Sequence, residues 1–271
     1  MKKKENLSFR ADKIAIIGGG RMCEALLRGL VKKQIIVSDI QKIRRDYIKK
    51  NFQAGVTNSN QQAVDFGDVI IFAVKPQAMK EAVKDLKIKQ EKLIISIAAG
   101  IPISYLKNNF KNNPIIRAMP NNPALIGEGI TAISYGEKVK EADKKKALGI
   151  LKLIGDVVEI DERYLDAVTG LSGSGPAFLY LFAEGMIEAG EAVGIKREAA
   201  YKLAVQTVYG AAKTLLSAGK NPKELIEMVS SPGGTTLRGL DVLYKKEFKT
   251  IISEAVKSAA NRAKELSQEL T

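Results

Sequence analysis

Short apolar runs alternate with helical patterns through the first half of the chain. The runs predict five strands, at 13–17, 35–37, 68–74, 93–97 and 115–119. A helical pattern follows the first run, with Met22, Leu26, Leu27 and Leu30 on one face. Strands that are apolar throughout and separated by helices are typical of a parallel sheet covered on both faces. The pattern therefore predicts an α/β fold with a doubly wound parallel sheet.

The pattern changes after the fifth strand. It predicts an edge strand at 130–134, a charged helix at about 138–154 and a strand near 157–160. From Tyr164 on no strand is predicted, and a 3.6-residue period indicates helices at about 176–193, 197–217 and 247–269. The sequence thus predicts two domains, a sheet domain of residues 1–162 and an all-helical domain of residues 163–271.

Charge and cysteine usage limit the partners and the compartment. Lys and Arg number 43 against 30 Asp and Glu, which gives a formal net charge of +13. The basic residues are spread along the chain without interleaved aromatics, so we interpret them as a solvated surface and predict no nucleic-acid partner. No apolar run reaches the roughly 20 residues that cross a bilayer, so no membrane partner is predicted. The basic start at 1–5 precedes no apolar segment, and Cys23 is the single cysteine, so we expect a cytoplasmic protein without signal peptide or internal disulfide.

The absence of histidine narrows the chemistry further. It excludes histidine-based triads, histidine general acids and histidine metal sites. One cysteine cannot form a thiolate zinc site, and no metal is predicted. Catalysis must therefore use a cofactor, backbone groups, hydroxyls, Lys, Arg or carboxylates.

A glycine-rich turn joins the first strand to the first helix. Residues 18–23 read Gly-Gly-Gly-Arg-Met-Cys. Glycines in this context let the backbone approach a pyrophosphate, whose charge is stabilised at the helix N-terminus. Cys23 stands where a third Gly or Ala is usual, and its small side chain still permits close packing. The alternative is a glycine turn in a protein that binds no nucleotide.

Asp39 ends the second predicted strand, and three basic residues follow it. An acid at this point binds both ribose hydroxyls of NAD and repels the 2′-phosphate of NADP. Lys42, Arg44 and Arg45 would neutralise that phosphate, or they form a solvated helix face. The choice between NADH and NADPH stays open, with NADPH favoured.

Three loops follow the carboxyl ends of later strands, where ligands bind in open α/β sheets. They are residues 73–77, 96–100 and 119–124, and ordinary loop chemistry is the alternative for each one. Pro76 suits the first turn of a helix.

Two turns rich in Gly, Ser and Thr lie in the helical half. In 171–177, Ser174 is predicted to cap a helix that has Pro176 in its first turn. In 230–236, successive backbone N–H groups next to a helix N-terminus would form a concave site suited to a carboxylate. A plain interhelix loop is the alternative for 230–236.

With these motifs in order, the chain resembles the pyrroline-5-carboxylate reductase family from Ile14 to about Ala263. The resemblance rests on residues 18–22, 73–77, 119–123, 171–177 and 231–236, of which the last two are the most specific. Two residues depart from the family pattern. Cys23 replaces a Gly or Ala, and Arg21 stands where Asn is common, so both bear on how the cofactor is held.

The resemblance implies a Rossmann N-terminal domain and a helical domain that interlocks with a second subunit in a homodimer, which often assembles into a decamer. It implies that the pyrophosphate is held by Gly18, Gly20, Arg21 and Met22, and a ribose-phosphate part by Asn60. The cofactor channel and nicotinamide end would be lined by Val74, Lys75, Pro76 and Ala98. The substrate carboxylate would be bound by Ser231, Gly233, Gly234 and Thr235, and the Thr236 hydroxyl would meet the ring nitrogen as the catalytic group.

The implied activity is that of an oxidoreductase of amino-acid biosynthesis. It reduces 1-pyrroline-5-carboxylate to L-proline with NADPH, or with NADH. The imine arrives protonated, so no strong general acid is needed, which suits a chain without histidine. One alternative is a β-hydroxyacid dehydrogenase, but residues 172–175 offer no catalytic Lys at the start of the long helix. A non-catalytic dinucleotide-binding regulator is the second alternative, and a nucleic-acid-binding protein ranks last.

Overall fold

The computed structural model describes residues 13–30 and 34–269. The basic start of the chain lies outside these residues. The described residues form eight strands: β1 (Lys13–Ile17), β2 (Gln34–Ser38), β3 (Gly55–Thr57), β4 (Val69–Phe72), β5 (Leu93–Ser96), β6 (Ile115–Met119), β7 (Gly129–Tyr135) and β8 (Gly155–Glu159). All seven predicted strands are confirmed, and only the three-residue β3 was not predicted.

The strands form one sheet in the order β3-β2-β1-β4-β5-β6-β7-β8. Neighbours from β3 to β6 run parallel, whereas β7 runs antiparallel to β6 and parallel to β8. The predicted α/β class is confirmed. The prediction that 130–134 is an edge strand is wrong, because β8 pairs along β7 from Gly129↔Gly155 to Ile133↔Glu159 and takes the edge itself.

Helices cover both faces of the sheet. In chain order the helices that precede the helical half are α1 (Arg21–Gly29), α2 (Lys42–Asn51), α3 (Asn60–Phe66), α4 (Met79–Val83), α5 (Ile103–Asn109), α6 (Glu141–Leu151) and α7 (Leu165–Val168). Successive strand side chains point to opposite faces. Ile14 and Ile16 accordingly pack in one apolar cluster, and Ala15 and Ile17 in another. Burial on both faces explains why the central strands are apolar at most positions.

Five helices follow: α8 (Gly175–Ala192), α9 (Arg197–Ser217), α10 (Pro222–Met228), α11 (Thr235–Lys245) and α12 (Phe248–Gln268). The three long predicted helices are confirmed to within one residue at each end. In the helical hairpin α8–α9, Ile187, Ala200 and Ala204 form a small buried cluster. None of the described helices is both long and apolar enough to cross a membrane.

The predicted cap at Ser174 is wrong. Its backbone is helical, with φ −83° and ψ −25°, whereas an N-cap residue is extended. A π-helical turn, Thr169–Gly173, carries the chain from α7 towards α8, and the Ser174 N–H donates to the Thr169 carbonyl at 2.8 Å. Pro176 does lie in the first turn of α8, as predicted.

The chain divides into two compact units. The sheet unit comprises residues up to Ser174 together with those from Lys257 on, and the helical unit comprises Gly175–Val256. Buried Arg117 on β6 ties the later segments to the sheet unit, because its guanidinium bonds Glu162 and Asp166 (2.6 Å to Asp166). Asp166 also accepts the Ser267 hydroxyl at 3.1 Å. The predicted domain boundary at residue 162 therefore lies before Ser174, where the first segment of the sheet unit ends.

Candidate functional site

A cleft of about 500 Å³ opens in the sheet unit at the carboxyl ends of β1, β2 and β4. Ligands bind at this edge in open parallel sheets. Seven of the predicted cofactor residues line the cleft: Gly18, Gly20, Asp39, Arg44, Asn60, Val74 and Lys75. Four others, Arg21, Met22, Pro76 and Ala98, do not line it.

The glycine turn forms one wall of the cleft. Gly18 has φ +102°, and a Cβ there would lie 2.8 Å from the carbonyl carbon and oxygen of Ala73. Gly20 precedes α1 in an extended conformation, and nothing lies within 4 Å of where its Cβ would be. The backbone before α1 is thus open to the cleft, as phosphate binding at a helix N-terminus requires.

The three residues after the glycines differ in exposure. Arg21 is exposed at the first position of α1, Met22 packs partly buried against the core, and Cys23 is fully buried in it. The thiol therefore takes the packing role of the usual small residue. Burial also raises the pKa of Cys23 well above its ordinary value, although the charge of Arg44 opposes the shift.

This burial makes Cys23 a reporter of unfolding. We expect the native thiol to react with a chromogenic disulfide reagent at least about a thousandfold more slowly than in urea, because only the exposed thiolate attacks. The unfolded thiol ionises above about pH 8.5 while the folded thiol keeps its proton, so the fold also loses stability above that pH. Stopped-flow labelling with and without urea measures the first effect. Equal rates would contradict the burial.

Asp39 and Arg44 hold the glycine turn. The Asp39 carboxylate accepts the N–H groups of Gly19 (2.7 Å) and Gln41 (2.8 Å). Arg44 donates from Nε to the Gly19 carbonyl at 2.8 Å and forms an ion pair with Glu24. The backbone of Gly19 is therefore held at its N–H by a carboxylate and at its carbonyl by a guanidinium.

Lys42 and Arg45 have different roles. Lys42 forms an exposed i,i+4 ion pair with Asp46, which fits a solvated helix face. Arg45 donates to the backbone carbonyls of Asp39 (2.7 Å) and Ile40 (2.9 Å) and so fixes the loop after β2. Of the three basic residues only Arg44 lines the cleft.

The later predicted cofactor residues come from three separate segments of the chain. The Asn60 side chain, at the start of α3, accepts the Ser38 hydroxyl at 2.7 Å and donates to the Ala82 carbonyl at 3.1 Å. Lys75 precedes a short 3₁₀ turn, Pro76–Ala78, so the proline lies in a first helical turn as predicted. Ala98 is buried after β5.

The predicted substrate loop lies in the helical unit, where residues 231–234 lead into α11. Gly233 has φ +72°, and the Gly234 N–H closes the turn on the Ser231 carbonyl at 2.9 Å. Exposed Thr235 and Thr236 are the first residues of α11. Within the described part of the chain, the N–H groups of Gly233, Thr235 and Thr236 have no acceptor. Such a concave group of donors suits a carboxylate.

The loop after β6 contacts the π-helical turn. Asn121 donates from Nδ2 to the Ser172 carbonyl at 3.2 Å and accepts the Ile130 N–H at 2.9 Å. A Cβ on Gly173 would lie 2.7 Å from Met119 Cε, so a larger residue here would displace the end of the Met119 side chain. Two sequence motifs that are 50 residues apart are thus in contact within the sheet unit.

Several cleft residues were not predicted from the sequence: Ile17, Ser38, Ile40, Gln41, Ala73, Ala78, Glu81 and Ala82. Ser38 and Gln41 lie within two residues of Asp39 in the sequence, so they could have been predicted from their closeness to a predicted cofactor residue. Glu81 and Ala82 lie on α4, and no local motif marks them. Glu24 was not predicted either, because its partner Arg44 is 20 residues away.

Comparison with known proteins gives a consistent result. The family described as "Pyrroline-5-carboxylate reductase dimerisation" matches residues 162–266, and "NADP oxidoreductase coenzyme F420-dependent" matches residues 13–100. The chain is 41% identical over 260 residues to pyrroline-5-carboxylate reductase of Synechocystis sp., which covers 93% of this chain and 97% of that protein. The Arabidopsis thaliana reductase is 39% identical over 264 residues, with 94% and 96% covered.

A solved structure agrees. The crystal structure of Plasmodium falciparum pyrroline carboxylate reductase with NADP bound superposes with a TM-score of 0.85 at 32% identity, and covers 94% of this chain and 98% of that one. The resemblance predicted from the motifs is confirmed, and the chain belongs to the pyrroline-5-carboxylate reductase family.

Proposed function

We propose that this chain is an NAD(P)H-dependent oxidoreductase that reduces the C=N bond of 1-pyrroline-5-carboxylate to L-proline, the last step of proline biosynthesis. The observation that carries the proposal is the cleft of the sheet unit, where the glycine turn meets Asp39 and Arg44 in a chain of the reductase family.

The cleft fits a dinucleotide cofactor. Its volume of about 500 Å³ is within the ordinary range of ligand pockets, and the backbone at Gly20 is open. In this proposal the pyrophosphate is held by Gly18, Gly20, Arg21 and Met22, the ribose-phosphate part by Asp39, Arg44 and Asn60, and the remainder by Val74, Lys75, Pro76 and Ala98. The bound reduced nicotinamide supplies a hydride to the imine carbon.

The substrate is bound by the loop of the helical unit. The N–H groups of Gly233 and Thr235 donate to the carboxylate, while Ser231 and Gly234 close the turn that presents them. The Thr236 hydroxyl hydrogen-bonds the ring nitrogen, orients it and relays a proton to the amine formed there. The chain contributes mainly positioning and electrostatics, because a protonated imine is already electrophilic.

The helical unit is proposed to be the dimerisation and substrate-binding domain, within 163–271. The family match from residue 162 supports this assignment. Large apolar side chains are exposed on its helices, among them Leu181, Leu203 and Leu216, the last 88% exposed. Such helices bury their apolar faces against another molecule, and we assign a homodimer, with further assembly into a decamer as the alternative. Cytoplasmic residence is part of the proposal.

The activity is tested by mixing purified protein with NADPH and 1-pyrroline-5-carboxylate and following the absorbance of the reduced nicotinamide. Oxidation that depends on the imine is expected, with NADPH and also with NADH. Folded protein that binds NADPH but oxidises neither cofactor would refute the reductase activity and favour the regulatory alternative. Light scattering of the same sample distinguishes a particle of two chains from one of ten.

A further inference from the structure

Glu24 places a negative charge next to the cofactor cleft. It lies in the first turn of α1, and only 11% of its side chain is exposed. A buried carboxylate is stable only when it is paired, and Arg44 is its ion-pair partner. The pair joins α1, which follows the glycine turn, to α2.

Arg44 is held by more than Glu24. Its Nε and Nη2 both donate to the Gly19 carbonyl, and its guanidinium lies over the Tyr47 ring, 5.0 Å from the centroid. No hydrogen bond joins Nη1 to any described residue. The guanidinium therefore stays in place at the cleft without the charge of Glu24, and one nitrogen is available to a ligand.

The acidic residues Asp39 and Glu24 and the basic residue Arg44 have opposite effects on a 2′-phosphate. In dinucleotide-binding folds the acid at the end of the second strand meets the ribose 2′ position, and an Arg nearby accommodates a 2′-phosphate. Here the acid is Asp39 and the Arg is Arg44, and both line the cleft. Glu24 neutralises Arg44, so the attraction of the site for a 2′-phosphate is reduced.

We propose that Glu24 is a positioning residue that sets the preference between NADPH and NADH, by offsetting the charge of Arg44. This rests on the proposed function, since it assigns the cleft to a nicotinamide dinucleotide. In this role Glu24 lets one site accept both cofactors, and it touches neither.

The test is the substitution Glu24→Gln, which keeps the side-chain shape and an oxygen that accepts from Arg44. Calorimetric titration with NADP⁺ and with NAD⁺ gives the ratio of the two dissociation constants without any need for catalysis. Removing a partly buried charge is expected to shift this ratio by about three- to tenfold towards NADP⁺. The matched control is Glu141→Gln, which breaks the Glu141–Lys144 ion pair on α6 and should leave the ratio unchanged.

A double-variant cycle separates charge from structure. In Arg44→Gln the preference for NADP⁺ should fall, and adding Glu24→Gln should then leave the ratio unaltered, because its effect acts through Arg44. An unchanged ratio in Glu24→Gln, or the same shift with Arg44 absent, would overturn the role of Glu24 while leaving the reductase proposal standing. If the unaltered chain binds neither nucleotide, the proposed function itself fails.

Discussion

Thr236→Ala is expected to lower kcat by about a hundredfold, since positioned proton-relay groups contribute at least this much. The dissociation constant for NADPH should stay nearly unchanged. In the proposed mechanism the hydroxyl acts on the ring nitrogen and not on the cofactor. The fold should tolerate the change, because Thr236 is exposed and caps no helix through its side chain.

Steady-state kinetics and NADPH fluorescence titration measure the two quantities. Thr236→Ser is the matched control: it keeps the hydroxyl and should retain most of the activity. A large loss of NADPH affinity with normal kcat in Thr236→Ala would contradict the assignment. So would equal losses in the Ala and Ser variants.

Gly18→Ala is expected to reduce the free energy of unfolding by about 2–4 kcal/mol, because a side chain at φ +102° is strained and overlaps the Ala73 backbone. Val74, next to that contact, lines the cleft. We therefore expect kcat/KM for NADPH to fall by about a hundredfold, the effect of an ångström-scale shift of positioning groups. Urea denaturation and steady-state kinetics measure the two effects.

The comparison variant is Gly20→Ala. Its added methyl group meets no protein atom and its φ of −75° suits alanine, so stability should change by less than about 1 kcal/mol. The methyl group would instead project where the pyrophosphate approaches, and KM for NADPH should rise about tenfold. If Gly20→Ala destabilised the fold as much as Gly18→Ala, the division of roles between the two glycines would be wrong.

Features with a local signal could be predicted from the sequence. The strands of the sheet core are apolar at most positions, and the long helices of the second half have a clear period, so their bounds were predicted closely. The glycine turn, Asp39 and Pro76 each carry a signal within a few residues of their structural role.

Features that depend on distant residues could not be predicted. β3 has only three residues, and its position is fixed by pairing with β2, from Ile36↔Gly55 to Ser38↔Thr57. Ser174 has the residue type of a cap, yet the π-helical turn before it continues the helix, which no local pattern indicated. The role of Glu24 depends on Arg44, and that of α4 in the cleft depends on the packing of the whole sheet unit.

The last turns of α12 belong to the sheet unit, so the chain leaves this unit for the helical unit and later returns to it. The helical unit is an insertion in the sequence, joined to the rest of the chain after Ser174 and again before Lys257. No single proteolytic cut can release it. A nick in the exposed connection at Gly219–Lys220 would leave two fragments that each retain part of the sheet unit. Ser267 and Asp166 would then lie on different fragments, and their hydrogen bond would be one of the non-covalent contacts between them.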